Sequence, residues 1–170
     1  ILGPSALKPS DAVHVERVTT AEEMLRATEA VIDSADVAIF AAAVADYRPR
    51  IKHTEKIKRE HETELDLELV RNPDILAEAA RAPHRPRVVV GFAAETGTDE
   101  EVAAFGRAKA RRKGADLMAV NAVGPATGFG DVPNSVIVLD AAGAEVARAA
   151  GSKDEVARAL IALIARRLGR

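Results

Sequence analysis

Arg87-Val88-Val89-Val90-Gly91-Phe92-Ala93 decides the fold. After Arg87 it is an unbroken run of strand length without a polar side chain, and helical segments flank it on both sides. A strand that is apolar at consecutive positions is buried on both faces, as in a parallel sheet covered by helices. Upstream, Asn72-Pro73 reads as a helix start, with Asn as the cap and Pro at the first helical position. That helix runs to about Arg81, and Pro83 and Pro86 close it. Downstream, Thr98 with Glu101 makes a capping box for a helix that runs to about Lys113. Gly114 suits its C-terminal cap. Asp116-Leu117-Met118-Ala119-Val120 is then the next strand, ending at Asn121.

The same alternation extends outward. Val13 to Val18 alternates as a short strand, and Thr20 with Glu23 opens a helix reaching about Ser34. Asp36 to Ala43 is apolar after its first residue and reads as a strand buried on both faces. Residues 44–63 break the pattern: Asp46, Arg48, Pro49, Arg50, Lys52, Lys56, Lys58 and Arg59 make a polar excursion too long for an ordinary connection. Glu64 to Leu69 alternates strictly, as a strand with one wet face in a hairpin or at an edge. Toward the C-terminus a Gly-rich stretch, 124–130, leads to a strand over Asn134 to Asp140. A turn at Ala141-Ala142-Gly143 returns Glu145 to Arg148 as its hairpin partner. Ser152 with Glu155 opens a last helix with Val156, Leu160, Leu163, Ile164 and Leu168 on one face. Strands alternating with helices predict a single α/β domain over residues 1–170 with a mostly parallel sheet.

Composition narrows the functions. Lys and Arg number 24 against 26 Asp and Glu, for a net charge of −2, so nothing global favours nucleic acid or a membrane surface. Aromatics are 3%, too few for base-stacking platforms. There is no Cys, hence no disulfide, thiolate metal site or thiol nucleophile, which is compatible with a cytoplasmic setting. The four His show no metal-ligand spacing, and neither a phosphate loop nor G-x-G-x-x-G is present.

In an open parallel sheet, ligands bind beyond the carboxyl ends of the strands. One rim therefore gathers Asp46, Phe92, Glu95 and Asn121, with the helix amino ends near Asn72 and Thr98 offering N–H groups to an anion. The plainer reading is that Asp, Thr and Asn are good turn and cap residues. Lys109 and Lys113 share a helix face at i, i+4, where like charges repel unless a polyanion lies between them; the plainer reading is a solvated basic face.

The motifs match one family in order. Ala41-Ala42-Ala43-Val44-Ala45-Asp46-Tyr47-Arg48-Pro49 comes first, then Glu55-Lys56-Ile57-Lys58 and Leu69-Val70-Arg71-Asn72-Pro73-Asp74-Ile75-Leu76. Val90 to Thr96, Ala108-Lys109 with Arg112-Lys113, and Asp116 to Asn121 follow. The chain resembles phosphopantothenoylcysteine synthetase, which in bacteria is usually the carboxyl-terminal part of a bifunctional coenzyme A biosynthesis protein with an upstream flavin-dependent decarboxylase. The resemblance implies a Rossmann-like three-layer fold with a flap and a C-terminal hairpin plus helix. It implies a cytoplasmic homodimer that joins 4′-phosphopantothenate to L-cysteine through an acyl-cytidylate, with CTP as co-substrate and Mg²⁺. Residue by residue, the nucleotide would meet Phe40, Ala41, Ala42, Asp46, Lys56, Pro73, Asp74, Ile75, Leu76, Phe92, Lys109 and Lys113. Lys56 would be the catalytic flap lysine over the site, and Asp46 would meet the metal or a ribose hydroxyl.

Ile1-Leu2-Gly3-Pro4 resembles the end of the family's first βαβ region, so a strand, Gly-rich loop and helix are expected ahead of it. The competing expectation is a non-catalytic fragment that keeps the nucleotide-binding fold and a dimer contact. A nicotinamide-dependent oxidoreductase finds no support beyond the α/β pattern.

Overall fold

The computed structural model describes residues 1–6, 8–57, 65–124 and 132–170. Lys58, Arg59, His61, Glu64 and residues 125–130 of the Gly-rich stretch, all singled out from the sequence, lie outside that set. Among the described residues four helices, α1 (Ala21–Ile32), α2 (Ile75–Arg81), α3 (Asp99–Lys113) and α4 (Lys153–Arg167), accompany seven strands. The strands are β1 (Val37–Phe40), β2 (Tyr47–Pro49), β3 (Leu69–Arg71), β4 (Val88–Glu95), β5 (Leu117–Ala122), β6 (Asn134–Asp140) and β7 (Glu145–Gly151).

The main sheet has the order β1-β4-β5-β6-β7. β1, β4 and β5 are parallel, and β6 and β7 join antiparallel, so only β6 opposes the others. β4 explains the three-layer build. Val89 and Ala93 face a core shared with Val102 and Ala110 of α3 and Ala80 of α2. Val88 and Val90 face a second core shared with Val156, Leu160, Leu163 and Ile164 of α4. Successive side chains of one strand thus feed opposite layers, which is why its sequence is apolar without alternation. All three capping boxes predicted from sequence form, at Thr20, Thr98 and Ser152.

Four expectations change. Val13 to Val18 forms no strand; Arg17 makes one parallel bridge to Leu2, with Leu2 N–H donating to Glu16 O at 2.8 Å and Val18 N–H to Leu2 O at 3.0 Å. A ladder needs a partner of equal length, and among the described residues only Leu2 pairs there. The run 36–43 yields only β1, half-buried because among the described residues β4 alone flanks it. The alternating run 64–69 contributes Leu69 to a separate ribbon with β2, registered Tyr47↔Arg71, Arg48↔Val70 and Pro49↔Leu69. The cap of α2 is Asp74, not Asn72: its carboxylate accepts from Ala77 N–H at 3.2 Å, and the helix begins at Ile75.

Candidate functional site

Phe40 ends β1 opposite Gly91 of β4. A side chain on Gly91 would place its Cβ 2.5 Å from Leu76 Cδ2 and 3.0 Å from Met118 Cε. The bare backbone there lets Leu76 lie on the sheet, where it and Phe40 pack on the same core. Glycine at this point is what brings the start of α2 onto the strands. Ala41, Ala42 and Asp46 follow β1 and are exposed, so this part of the rim is an open shelf rather than an enclosed cavity.

Asp46 is tied to the start of α2 through the backbone: Asn72 N–H donates to Asp46 O at 2.8 Å. Beyond Pro73, Asp74 carries two duties. It caps α2, and its Oδ2 lies 2.5 Å from Lys113 Nζ. Burial works against charging this carboxyl, but Lys113 and the Ala77 N–H outweigh it and hold it below the usual carboxylate range. One turn earlier on α3, Lys109 Nζ lies 2.7 Å from Glu95 Oε1 at the end of β4. That approach lies outside hydrogen-bonding angles, so the contact is an ion pair. Glu95 is the more enclosed partner, its side chain 15% exposed against 36% for Lys109. Helical side chains lean toward the helix amino end, so both lysines reach back from α3 toward the strands' carboxyl ends.

Five of the expected residues are joined by direct structure: Phe40 and Leu76 by shared packing, Asp46 through Asn72, and Asp74 with Lys113. Ile75 is buried at the start of α2. Phe92, 37% exposed, lies on β4 opposite Ala119. Lys109 belongs to the neighbouring pair with Glu95. Lys56 is exposed and makes no hydrogen bond or ion pair with another described residue. The amino end of α3 is unfavourable to an anion: the capping box occupies the N–H groups of Thr98 and Glu101, and Asp99, Glu100 and Glu101 crowd the first turn with negative charge. Asn121 sits at the rim with its Oδ1 buried and without a hydrogen-bond partner among the described residues.

Sequence reasoning missed two things here. It left the rim lysines without partners, although the carboxylates of Glu95 and Asp74 neutralise both. It also read Asn72 as a cap, when its side chain clamps the base of the ribbon. The one available signal was the second acid: Asp74 stands three residues before Ala77, the spacing of a cap and its N–H.

Residues 1–168 match the family model described as the DNA/pantothenate metabolism flavoprotein C-terminal domain. The coenzyme A biosynthesis bifunctional protein CoaBC of Mycobacterium tuberculosis (strain ATCC 25618 / H37Rv) is 42% identical over 156 residues, covering 88% of this chain and 37% of that protein. CoaBC of Escherichia coli (strain K12) is 42% identical over 140 residues, covering 80% and 34%. The chain thus spans little more than a third of the length of these curated relatives. The crystal structure of the C-terminal domain of CoaBC superposes with a TM-score of 0.75 at 30% identity, covering 98% of this chain and 72% of that one. A DNA/pantothenate metabolism flavoprotein from Streptococcus pneumoniae, at 18% identity and a TM-score of 0.73, shares the fold. With the match running through Leu168 and the fold in agreement, this chain belongs to the DNA/pantothenate metabolism flavoprotein C-terminal domain family.

Proposed function

We propose that this chain is a CTP-dependent ligase domain of coenzyme A biosynthesis, joining 4′-phosphopantothenate to L-cysteine. The observation that carries the reading is the Lys113–Asp74 contact. These residues lie 39 apart in sequence, both were expected at the nucleotide, and they meet within 2.5 Å. In this reading the pantothenate carboxylate attacks the α-phosphate of CTP, forming the acyl-cytidylate and releasing pyrophosphate. The amine of cysteine then forms the amide and CMP leaves. Negative charge grows on the phosphates in the first step, and fixed cations beside them lower its cost. Lys109 and Lys113 supply those cations already positioned, each held by a carboxylate that a triphosphate outcompetes by charge. Lys56, on an exposed segment, serves as the flap cation, and closing that segment would keep water from the activated acyl group.

Mg²⁺ fits this arrangement in one form only. Among the described residues no three His, Asp or Glu side chains gather to cage a metal. An ion carried by the phosphates needs only one or two protein carboxylates, and Asp46 is the one available on the shelf. Bound there, it would spread phosphate charge.

The relatives are named bifunctional and are longer than this chain. We assign their second activity, a flavin-dependent decarboxylase by family resemblance, to the rest of such a protein. The substrates are small and polar, which fits a cytoplasmic enzyme; among the described residues no helix is long and apolar enough to cross a membrane. We also propose a homodimer, built on the outer face of the β2–β3 ribbon.

Thermal melting with Mg²⁺ and CTP tests the central reading. Ligand at a hundredfold excess over Kd stabilises by about 2.7 kcal/mol, roughly a 5–10 °C rise for a domain of this size. Lys113→Ala should abolish most of the rise. No shift with CTP, ATP or GTP in the unaltered chain would remove the nucleotide reading. Pyrophosphate release that depends on both phosphopantothenate and cysteine would establish the reaction.

A further inference from the structure

An asparagine side chain has one acceptor and two donors, and Asn72 spends its groups on the two segments that flank the shelf. Its Nδ2 donates to Ala45 O at 2.8 Å. Its backbone N–H donates to Asp46 O at 2.8 Å. Its Oδ1 accepts from Arg48 Nη1 at 3.2 Å, and the same Nη1 donates to Arg71 O at 2.8 Å. The other end of the Arg48 guanidinium pairs with Glu22 of α1 at 2.6 Å. One half-buried residue therefore fastens 45–46, Arg48 and 71–72 together, and α1 anchors the knot.

The position matters more than the bond count. On one side lies Asp46. On the other, Pro73 fixes the backbone φ and hands on to Asp74, which holds Lys113. A carboxylate and a lysine that serve one ligand must be kept at a set separation, and Asn72, with Arg48 bonded to it, ties the segment of Asp46 to the segment that leads into Asp74. A cap role does not account for these bonds, because Asp74 caps the helix.

We infer that Asn72 is a positioning residue that sets the distance between Asp46 and the Asp74–Lys113 pair, and through it the affinity for a nucleoside triphosphate. The inference rests on the nucleotide reading above. Asn72 touches no ligand itself. It acts through Asp46, so its effect must depend on Asp46 being present.

That dependence is the test. CTP affinity with Mg²⁺ is measured by calorimetry for the unaltered chain, Asn72→Ala, Asp46→Asn and the double variant, with Arg50→Ala as a control. Arg50 pairs with Glu68 farther along the ribbon, outside the knot. Asn72→Ala should weaken binding about tenfold and Asp46→Asn by at least as much. The double variant should be no weaker than Asp46→Asn alone, the signature of residues acting as one unit. Arg50→Ala should bind as the unaltered chain does. Asn72→Asp retains the acceptor for Arg48 but loses the donor to Ala45. It should stay folded and still bind weakly, which separates positioning from loss of structure. Losses that add in the double variant, or a lowered melting temperature with unchanged affinity, would overturn the inference while leaving the nucleotide reading intact. Failure of the unaltered chain to bind any nucleoside triphosphate would overturn both.

Discussion

Lys109 and Glu95 form an unequal pair, and the inequality has consequences. Glu95 is the enclosed member, so removing the lysine strands a carboxylate that water reaches poorly, whereas removing the acid leaves a lysine that can reorient into solvent. Lys109→Gln should therefore cost about 1–3 kcal/mol in urea unfolding at pH 7. Glu95→Gln should cost less, and the double Gln variant should recover part of the Lys109→Gln loss. A double variant less stable than Lys109→Gln alone would show that the pair is not the source of the effect. At this scale the sequence was partly legible. Phe40, Asp46, Asp74, Leu76 and Lys113 were chosen from ordered motifs, and the fold packs Phe40 and Leu76 on one core, pairs Asp74 with Lys113 and bonds Asp46 to Asn72. Glu95 was placed at the rim, but its partnership with Lys109 was not foreseen. That pairing depends on the helix–sheet separation, which no local pattern encodes.

The helix starts marked by capping boxes were the most legible elements because their chemistry is local, whereas α2, without such a box, starts two residues later than its Asn-Pro signal. Each capping box joins residues three apart, and all three formed. In each, backbone N–H bonds to the Glu carboxylate hold its pKa below the ordinary glutamate value at Glu23, Glu101 and Glu155. A folded-state pKa that is depressed contributes stability fully present above the unfolded value, about 4.3, and lost as pH falls through the folded one. Stability should therefore fall from about pH 5 downward. The Glu23→Gln, Glu101→Gln, Glu155→Gln variant keeps the capping geometry without the titration, and its stability should fall less steeply over the same range in denaturant unfolding. α3 also carries a glycine that its helix propensity disfavours. A Cβ on Gly106 would lie 2.6 Å from Val120 Cγ2 and 3.2 Å from Leu139 Cδ1. Gly106→Ala should gain about 1 kcal/mol in helix propensity yet lose more to overpacking, typically about 1–3 kcal/mol. A net fall in melting temperature is expected, and a rise would mean that α3 can move off the sheet freely. The strands were less legible than the caps. A strand's extent depends on its neighbours, so β1 came out shorter than its apolar run and β7 longer than its predicted hairpin arm.

Across the whole molecule, the middle strands of the main sheet are covered on both faces, but the β2–β3 ribbon turns one face to solvent. Its inner face carries Arg48, held to Glu22 of α1, and the half-buried Val70. Pairs in register share a face, so Tyr47, Pro49 and Leu69 point the other way, with Arg71 beside Tyr47 at the rim of that face. Leu67 and Leu65 continue that alternation, and Ile51 follows Pro49 by the same step. Tyr47, Ile51, Leu65, Leu67 and Leu69 are 51–65% exposed, a concentration unlike the single apolar residues scattered elsewhere. The alternation in 64–69 was legible as a strand with one wet face in a hairpin or at an edge, but what covers its apolar side was not. A two-stranded ribbon is marginal without a third strand or a packed face. In the proposed homodimer a second copy of the same ribbon would supply such a face, because a two-fold contact is self-complementary by construction. Sedimentation of the unaltered chain at micromolar concentration should give a dimer. Leu67→Glu, which places a charge in the middle of the dry face, should shift it to a monomer with the melting profile of the main sheet little changed. A dimer that survives Leu67→Glu would move the interface elsewhere, and a monomeric unaltered chain would leave the ribbon's apolar face to a different partner.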